Sequence, residues 1–289
     1  MAKEPGSTVE RLRAQLEKPG LRVMPCCFDA LSARLVERAG FELTFMSGFA
    51  VSAARIGQPD TGLISYGEMV DAGRDICAAV SIPVLGDGDT GYGNAINVKR
   101  TVRGYAQAGF AAVMIEDQVA PKRCGHTRGK QVVERQEAIA RIAAAVDARN
   151  EGADILILAR TDARTTDGFD EAMYRVSAFA DLGADILFLE APESESEMER
   201  FCKLVTVPTL ANMVEGGKTP VLPPAKLEAM GYRIAAYPMT LQNAAVGAMN
   251  QALSALRAGT QVPGLMDFPA LREILGFDSY YDEEERYRR

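Results

Sequence analysis

The sequence predicts an α/β protein built as a (β/α)8 TIM barrel. Eight short apolar runs alternate with segments of helical periodicity, which is the pattern of repeated β/α units. Most runs are continuously apolar, which is typical of strands buried on both faces. No linker or shift in composition interrupts the alternation, so we expect residues 1–289 to form a single barrel domain. The runs comprise residues 21–26, 43–46, 82–85, 112–115, 155–159, 186–189, 209–211 and 234–237.

The segments before and between these runs predict helices. Several end at a glycine just before the next run, as at Gly40, Gly109 and Gly183, and glycine is a common helix stop. After the last run, a long helix to about residue 258 and a second helix near residues 268–275 exceed what one barrel needs. We therefore assign residues 260–289 to a C-terminal helical extension, whose charged end at 280–289 is expected to be surface or disordered. The predicted helices comprise residues 8–18, 30–39, 66–79, 95–108, 134–150, 170–182, 195–204 and 224–230.

The net charge of the chain limits the classes of molecule that it is expected to bind. A formal net charge of −7 argues against a nucleic-acid partner, because phosphate binding favours a basic surface. A small anionic substrate remains compatible, since a local cluster of cations decides its binding. The charged first eighteen residues do not resemble a signal peptide, and no apolar run approaches the roughly twenty residues of a membrane span. These features predict a cytoplasmic protein without a membrane partner.

Polar residues follow the apolar runs where the strands are expected to end. In a barrel these positions meet at the carboxyl-terminal rim, where the catalytic side chains of this fold converge. A doubly wound sheet is the alternative architecture, and it would spread the same residues along one edge. The residues are Asp29, Ser47, Gly48, Asp87, Asp89, Glu116, Asp117, Arg160, Asp162, Glu190, Asn212 and Glu215.

One stretch, residues 114–130, concentrates reactive side chains after a single run. It holds Lys122, Arg123, Cys124 and the only histidine of the chain, His126. A thiol among cations is a candidate acid or nucleophile, because nearby positive charge favours the thiolate. The alternative is a solvated loop with an incidental cysteine.

Three carboxylates suggest a metal site. Asp87 and Asp89 offer the hard oxygen atoms that Mg²⁺ or Mn²⁺ binds, and Glu116 ends the neighbouring run. An acidic turn that complements a helix dipole is the alternative. Residues 86–91 also match the dinucleotide pattern G-x-G-x-x-G, but the two aspartates would repel a pyrophosphate.

The remaining rim residues suit an anionic substrate. Arg160 is a candidate bidentate clamp for a carboxylate, and a structural ion pair with Glu190 or Asp162 is its alternative role. Ser47 and Gly48 offer a hydroxyl and backbone N–H groups for a second carboxylate or an oxyanion. The other polar contacts predicted for this rim are Glu190, Asn212 and, in support of the metal, Asp60.

Five motifs together resemble the isocitrate lyase/phosphoenolpyruvate mutase superfamily. The similarity runs from about residue 8 to beyond residue 258, and the cysteine-bearing motif is highly specific. Within the superfamily, the sequence is similar to 2-methylisocitrate lyase, 2,3-dimethylmalate lyase and carboxyphosphonoenolpyruvate phosphonomutase. The motifs are K-R-C-G-H at 122–126, E-D-Q at 116–118, D-G-D-T-G-Y-G at 87–93, A-R-T-D at 159–162 and N-M-V-E-G-G-K-T-P at 212–220.

The resemblance implies a role for each of these residues. The implied ligands of Mg²⁺, partly through water, are Asp87, Asp89 and Glu116. The implied contacts to a pyruvate-like part of the substrate are Ser47, Gly48, Arg160, Glu190 and Asn212. The implied catalytic residues, on a loop that closes over the substrate, are Cys124, Lys122 and His126. Cys124 would donate the proton that the leaving enolate accepts.

The implied activity is Mg²⁺-dependent cleavage of a 2-hydroxy di- or tricarboxylate to pyruvate and a second carboxylate. A phosphonomutase, an oxaloacetate hydrolase or decarboxylase, and a non-catalytic anion-binding barrel are the alternatives. The chain departs from methylisocitrate-type lyases at Phe45, where they commonly carry a tyrosine, and a phenyl ring cannot accept a proton. The resemblance also implies a homotetramer whose C-terminal helices are exchanged between subunits.

Overall fold

The structure, a computed structural model, describes residues 6–125 and 129–288 and confirms the closed eight-stranded barrel. Each strand pairs in parallel with the next, and the eighth pairs with the first. The strands are β1 (Arg22–Cys27), β2 (Thr44–Met46), β3 (Val84–Asp87), β4 (Ala112–Glu116), β5 (Leu156–Thr161), β6 (Ile186–Leu189), β7 (Thr209–Asn212) and β8 (Ile234–Tyr237).

Thirteen helices surround or follow these strands in the described part of the chain. Those of the barrel are α1 (Thr8–Glu17), α2 (Ala30–Arg38), α3 (Gly48–Ile56), α4 (Tyr66–Ala79), α5 (Ala95–Ala108), α6 (Arg135–Asn150), α7 (Ala163–Thr166), α8 (Phe169–Asp181), α9 (Glu195–Leu204) and α10 (Pro224–Met230). The last three are α11 (Thr240–Ala258), α12 (Phe268–Leu275) and α13 (Phe277–Tyr287).

Local sequence signals explain where several helices begin and end. Asp29 caps α2 by accepting a hydrogen bond from Ser32 N at 2.6 Å, and Asn94 caps α5 in the same way. Gly109 ends α5 in the left-handed conformation, at φ 101°, and its N–H returns to the last turn of the helix. These caps define where the connecting helices begin and end. The helix lengths in turn allow each strand to place its polar end at the same rim.

Two apolar clusters form the core of the barrel. One fills the barrel interior and includes Met24, Leu85 and Leu158. Leu12 and Leu16 of α1 belong to the same cluster, so α1 covers the amino-terminal end of the barrel. The second cluster lies between the strands and the surrounding helices. Because the amino-terminal end is closed by apolar packing, the carboxyl-terminal end is left for polar residues.

Three elements differ from the sequence-based expectations. The helices α3 and α7 were not predicted, because both are short and directly follow strand ends. Residues 280–289 were expected to be surface or disordered, and the described part is exposed but helical, since α13 continues to Tyr287. Ion pairs at a spacing of three residues, such as Glu283 with Arg286 at 2.6 Å, support this exposed helix.

The chain divides into two compact units, residues 1–242 and 243–289. The first contains all eight strands. In the second, α12 and α13 are linked by aromatic contacts, including Phe277 with Tyr281 at a centroid distance of 6.1 Å. None of the helices in the described residues combines the length and apolar character that a bilayer-spanning helix needs.

The close contact between Gly73 of α4 and Phe110 generates a stability prediction. A Cβ at Gly73 would lie 2.2 Å from Phe110 Cζ, whereas a Cβ at Gly67, in the same helix, would have only Ser65 Oγ nearby, at 3.9 Å. Gly73→Ala should therefore lower the free energy of unfolding by about 1–3 kcal/mol through overpacking. The matched control Gly67→Ala should be neutral or stabilise by up to about 1 kcal/mol. Urea denaturation measures both, and equal effects would contradict the packing argument.

Candidate active site

A cavity of about 220 Å³ lies at the carboxyl-terminal end of the barrel. Its volume suits a small organic acid. Side chains from the strand interior form its apolar part, and residues from the loops after the strands form the rest. The apolar lining residues include Cys26, Phe45, Phe49, Met114, Phe188, Leu210, Val214 and Met239. The polar lining residues include Ser47, Asp60, Asp87, Lys122, Arg123, Cys124, Arg160, Glu190 and Asn212.

The turn after β3 presents two buried carboxylates. Asp87 accepts hydrogen bonds from Gly48 N at 3.1 Å and from Asp89 N at 3.0 Å. A Cβ at Gly48 would lie 2.4 Å from Asp87 Oδ2, so only glycine fits there. The Gly48 N–H therefore donates to Asp87, and the predicted contact of Gly48 with a substrate carboxylate stays a prediction. Ser47 caps α3 through a 3.4 Å contact from Ala50 N and lines the cavity.

Lys122 joins the cysteine-bearing loop to this turn. Its Nζ lies 2.6 Å from Asp60 Oδ2 and 2.9 Å from Asp89 Oδ1, and all three side chains are buried. Burial alone would lower the pKa of Lys122, but the surrounding carboxylates raise it well above its ordinary value. Lys122 is therefore a permanent cation, and it fixes the start of the loop that carries Cys124.

Arg160, at the end of β5, lies among carboxylates. It forms a two-point contact with Asp162, at 2.8 and 3.0 Å, and lies 3.4 Å from both Glu116 and Glu190. Lys130 also binds Asp162, at 2.8 Å. Burial would raise the pKa of Asp162, but Arg160 and Lys130 together hold it below its ordinary value. The ion pair considered for Arg160 from the sequence is present, and it orients the guanidinium while one edge still lines the cavity.

The cysteine-bearing loop packs directly onto this group. A Cβ at Gly125 would lie 2.6 Å from Arg160 Nη2 and 2.8 Å from Glu190 Cδ, so the glycine permits close approach of the backbone. Lys130 Nζ donates to Gly125 O at 3.0 Å. Asn212, at the end of β7, donates to Glu190 Oε2 at 3.3 Å. The loop, Arg160 and Glu190 therefore form one wall of the cavity.

Carboxylates outnumber cations among the buried residues of this rim. The carboxylates are Asp60, Asp87, Asp89, Glu116, Asp162 and Glu190, and the cations are Lys122, Lys130 and Arg160. Burial raises the pKa of Glu116 well above its ordinary value and that of Asp89 to about 6, in each case against the opposing effect of a nearby cation. A bound cation would favour the ionised form of these carboxyl groups and would also attract an anionic substrate to the rim.

The rim fits a divalent cation by the chemistry of its donors. Glu116 Oε1 and Asp60 Oδ1 are buried without a hydrogen-bond partner among the described residues. No group of three Asp, Glu, His or Cys side chains in the described part of the chain is arranged as a complete ligand set. Mg²⁺ does not require one, because it commonly binds one or two carboxylates and keeps several waters.

The structure brings most of the residues predicted from the sequence to this one rim. Cys124 lines the cavity beside Lys122. His126 lies outside the described residues. Lys130 was not predicted as a site residue, although it lies in the stretch first singled out. Asp162 was predicted only as a rim residue and as an alternative ion-pair partner of Arg160. The contact between Lys130 and Asp162 joins residues thirty-two positions apart, and such a pairing leaves no local signal in the sequence.

Comparisons with known proteins agree on one family. A family described as phosphoenolpyruvate phosphomutase matches residues 12–257. The 2,3-dimethylmalate lyase of Eubacterium barkeri is 44% identical over 285 residues, covering 97% of this chain and 98% of the relative. A probable 2-methylisocitrate lyase of Corynebacterium glutamicum is 43% identical over 273 residues, covering 93% and 88%. The chloroplastic carboxyvinyl-carboxyphosphonate phosphorylmutase of Arabidopsis thaliana is 39% identical over 285 residues, covering 96% and 84%.

Comparison with solved structures shows that relatives share the fold of this chain. An oxaloacetate acetylhydrolase in complex with 3,3-difluorooxalacetate superposes with a TM-score of 0.92 at 35% identity, covering 96% of each chain. A phosphonopyruvate hydrolase in complex with oxalate and Mg²⁺ superposes with a TM-score of 0.87 at 30% identity, covering 98% of this chain and 99% of that chain. The shared fold therefore extends over almost the whole chain.

Proposed function

The chain belongs to the phosphoenolpyruvate phosphomutase family, and we propose that it is a Mg²⁺-dependent carbon–carbon lyase. Its substrate is a 2-hydroxy di- or tricarboxylate of the 2,3-dimethylmalate or 2-methylisocitrate type, and its products are pyruvate and a second carboxylate. The observation that carries this proposal is the surplus of buried carboxylates beside a cavity that also holds Arg160 and a thiol. Such a site needs a cation to accept an anion, and it offers a proton donor at the reacting end.

Asp87, Asp89 and Glu116 are the residues that would hold the cation. Mg²⁺ is the natural candidate for a set of carboxylate oxygens, and Mn²⁺ is the alternative. The phosphonopyruvate hydrolase relative is a complex with Mg²⁺. When bound, the cation would act as a Lewis acid for the hydroxyl and carboxylate oxygens of the substrate.

Arg160 is the residue that would bind the carboxylate of the pyruvate half. Its fixed orientation, set by the two contacts to Asp162, reduces the conformational entropy lost when substrate binds. The hydroxyl of Ser47 and the amide of Asn212 line the same cavity and are its neutral polar contacts. The apolar lining, which includes Phe49 and Met239 among others, suits the alkyl groups of a substituted malate.

The reaction needs no co-reactant. The 2-hydroxyl loses its proton to a base, the C2–C3 bond breaks, and its electron pair moves to C3 and the adjacent carboxylate. C2 becomes the ketone of pyruvate. Cys124 then donates its thiol proton to C3, and the proton taken from the hydroxyl balances the one delivered. Phe45 lines the cavity but cannot act as the base, so Asp60 and Glu190, the lining carboxylates not assigned to the cation, are the candidate proton acceptors.

A substrate screen tests the proposed activity. The purified protein should release pyruvate from 2,3-dimethylmalate or 2-methylisocitrate, and EDTA should abolish this release until Mg²⁺ is restored. Isocitrate, oxaloacetate and carboxyphosphonoenolpyruvate complete the panel, with coupled detection of pyruvate or glyoxylate. Cleavage that continues at full rate in chelator would overturn the metal dependence. Turnover of carboxyphosphonoenolpyruvate alone would show a mutase, and binding without turnover would show an anion-binding barrel.

The role of Cys124 makes a separate prediction. Cys124→Ser changes the volume little but replaces the thiol with a far weaker acid. Turnover should fall by about 10²–10⁴, the range typical of lost acid–base catalysis. Binding of oxalate, measured by calorimetry in the presence of Mg²⁺, should remain near the parent value, because Arg160 and the cation provide it. Cys202→Ser, a thiol distant from the cavity lining, is the matched control. Near-parent turnover by the Cys124 variant would exclude the proton-donor role.

A homotetramer is part of the same proposal. Among the described residues, the C-terminal helices α11, α12 and α13 contain no buried residue. On α11, Val246, Met249, Leu253 and Leu256 are exposed at spacings of three, four and three residues, which is the pattern of a helix–helix seam. Light scattering should give a mass near four chains. A monomer mass would contradict the assignment of this apolar face to a second copy, and a dimer mass would contradict the tetramer.

A further inference from the structure

Helix α5 presents two buried hydroxyl groups to the turn that carries Asp87 and Asp89. Tyr105 Oη donates to the backbone carbonyl of Asp87 at 2.6 Å. Thr101 Oγ1 donates to the carbonyl of Gly91 at 3.0 Å. The two residues are four positions apart, so their side chains lie on the same face of the helix. Helix α5 therefore holds both ends of the segment 87–91 by hydrogen bonds to their backbone carbonyl groups.

The segment between these two contacts is strained. Asp89 has a φ of 48°, a left-handed conformation that is unfavourable for a residue with a side chain. Such a conformation persists only when several contacts impose it. Asp89 O accepts from Glu116 N at 2.9 Å, and Gly91 N donates to Gly88 O at 2.9 Å. The hydroxyls of α5 complete this set of constraints on the side away from the cavity.

Packing fixes the position of the Tyr105 hydroxyl. The ring is fully buried and stacks on Phe110 at a centroid distance of 4.8 Å and an interplanar angle of 25°. A Cβ at Gly86 would lie 2.9 Å from Tyr105 Cδ1 and 2.7 Å from Phe110 Cε1, so the ring lies directly against β3. Removing the hydroxyl would leave the ring in place and deprive the Asp87 carbonyl of its donor, and the neighbouring Tyr92 hydroxyl would lose its contact with Tyr105.

We propose that Thr101 and Tyr105 are positioning residues that hold the Asp87–Asp89 turn in the conformation that binds the divalent cation. Neither side chain lines the cavity, so both act through the backbone of the turn. The inference rests on the Mg²⁺ dependence proposed above. It adds a contribution from a helix outside the cavity, because partners that orient metal-binding groups commonly contribute 10- to 100-fold to metal affinity.

The test uses Tyr105→Phe and Thr101→Val, each of which removes one hydroxyl at nearly constant volume. Tyr232→Phe is the matched control, because Tyr232 is also almost completely buried but packs near Phe201 instead of the turn. Calorimetric titration with Mg²⁺ in the presence of oxalate should give a dissociation constant about tenfold or more higher for each test variant than for the control. In assays of pyruvate release, the Mg²⁺ concentration for half-maximal activity should rise similarly, and kcat at saturating Mg²⁺ should largely recover.

The outcomes separate this inference from the proposed function. If the parent protein binds no Mg²⁺ with oxalate, the proposed function fails and the inference fails with it. If the parent protein binds Mg²⁺ and both test variants bind it as tightly as Tyr232→Phe does, only the inference is wrong. Thermal unfolding without metal compares the stability of the test variants with that of the control variant. A loss of stability that is equal in the test and control variants, with unchanged Mg²⁺ affinity, would show a purely structural role.

Discussion

The gathering of buried carboxylates at one end of the barrel is the constraint on which the rest of the site depends. Isolated buried charges are costly, and a carboxylate in this position either gains a partner or becomes protonated. Lys122, Lys130 and Arg160 partner part of the set, and each also contacts or adjoins the cysteine-bearing loop. The loop conformation and the orientation of Arg160 therefore depend on the same electrostatic balance that the proposed cation would complete.

The barrel makes this arrangement possible by separating its two ends. Apolar side chains from α1 fill the amino-terminal end together with the strand interior. The carboxyl-terminal end carries charged residues on adjacent strands, and the parallel register places Glu116 beside Arg160. The backbone hydrogen bonds between the strands thus hold opposite charges side by side. Flexible loops would lose more conformational entropy if they held the same charges in place. Helix α5 likewise holds the backbone of the Asp87–Asp89 turn by hydrogen bonds from outside the cavity.

Much of this architecture could be predicted from the sequence, because continuous apolar runs report burial on both faces of a parallel strand. Two strands, residues 186–189 and 234–237, were predicted with the bounds that the structure has. Asp87, Glu116 and Arg160 were predicted to share one rim because each follows such an apolar run. The contacts between them were less predictable. Whether the Gly48 N–H binds Asp87 or a ligand depends on how closely Gly48 packs against Asp87. The pairing of Lys130 with Asp162 depends on how a loop folds back.

The buried carboxylates are proposed to form a divalent-cation site that completes a cavity for an anionic substrate. The most direct measurement is an anomalous difference map from crystals grown with Mn²⁺ and oxalate. A single strong peak is expected at the rim, near the carboxylate oxygen atoms of Asp87, Asp89 and Glu116, with oxalate bound in the same cavity. Oxalate bound in the cavity without any ion, or a peak remote from these three carboxylates, would contradict this proposal.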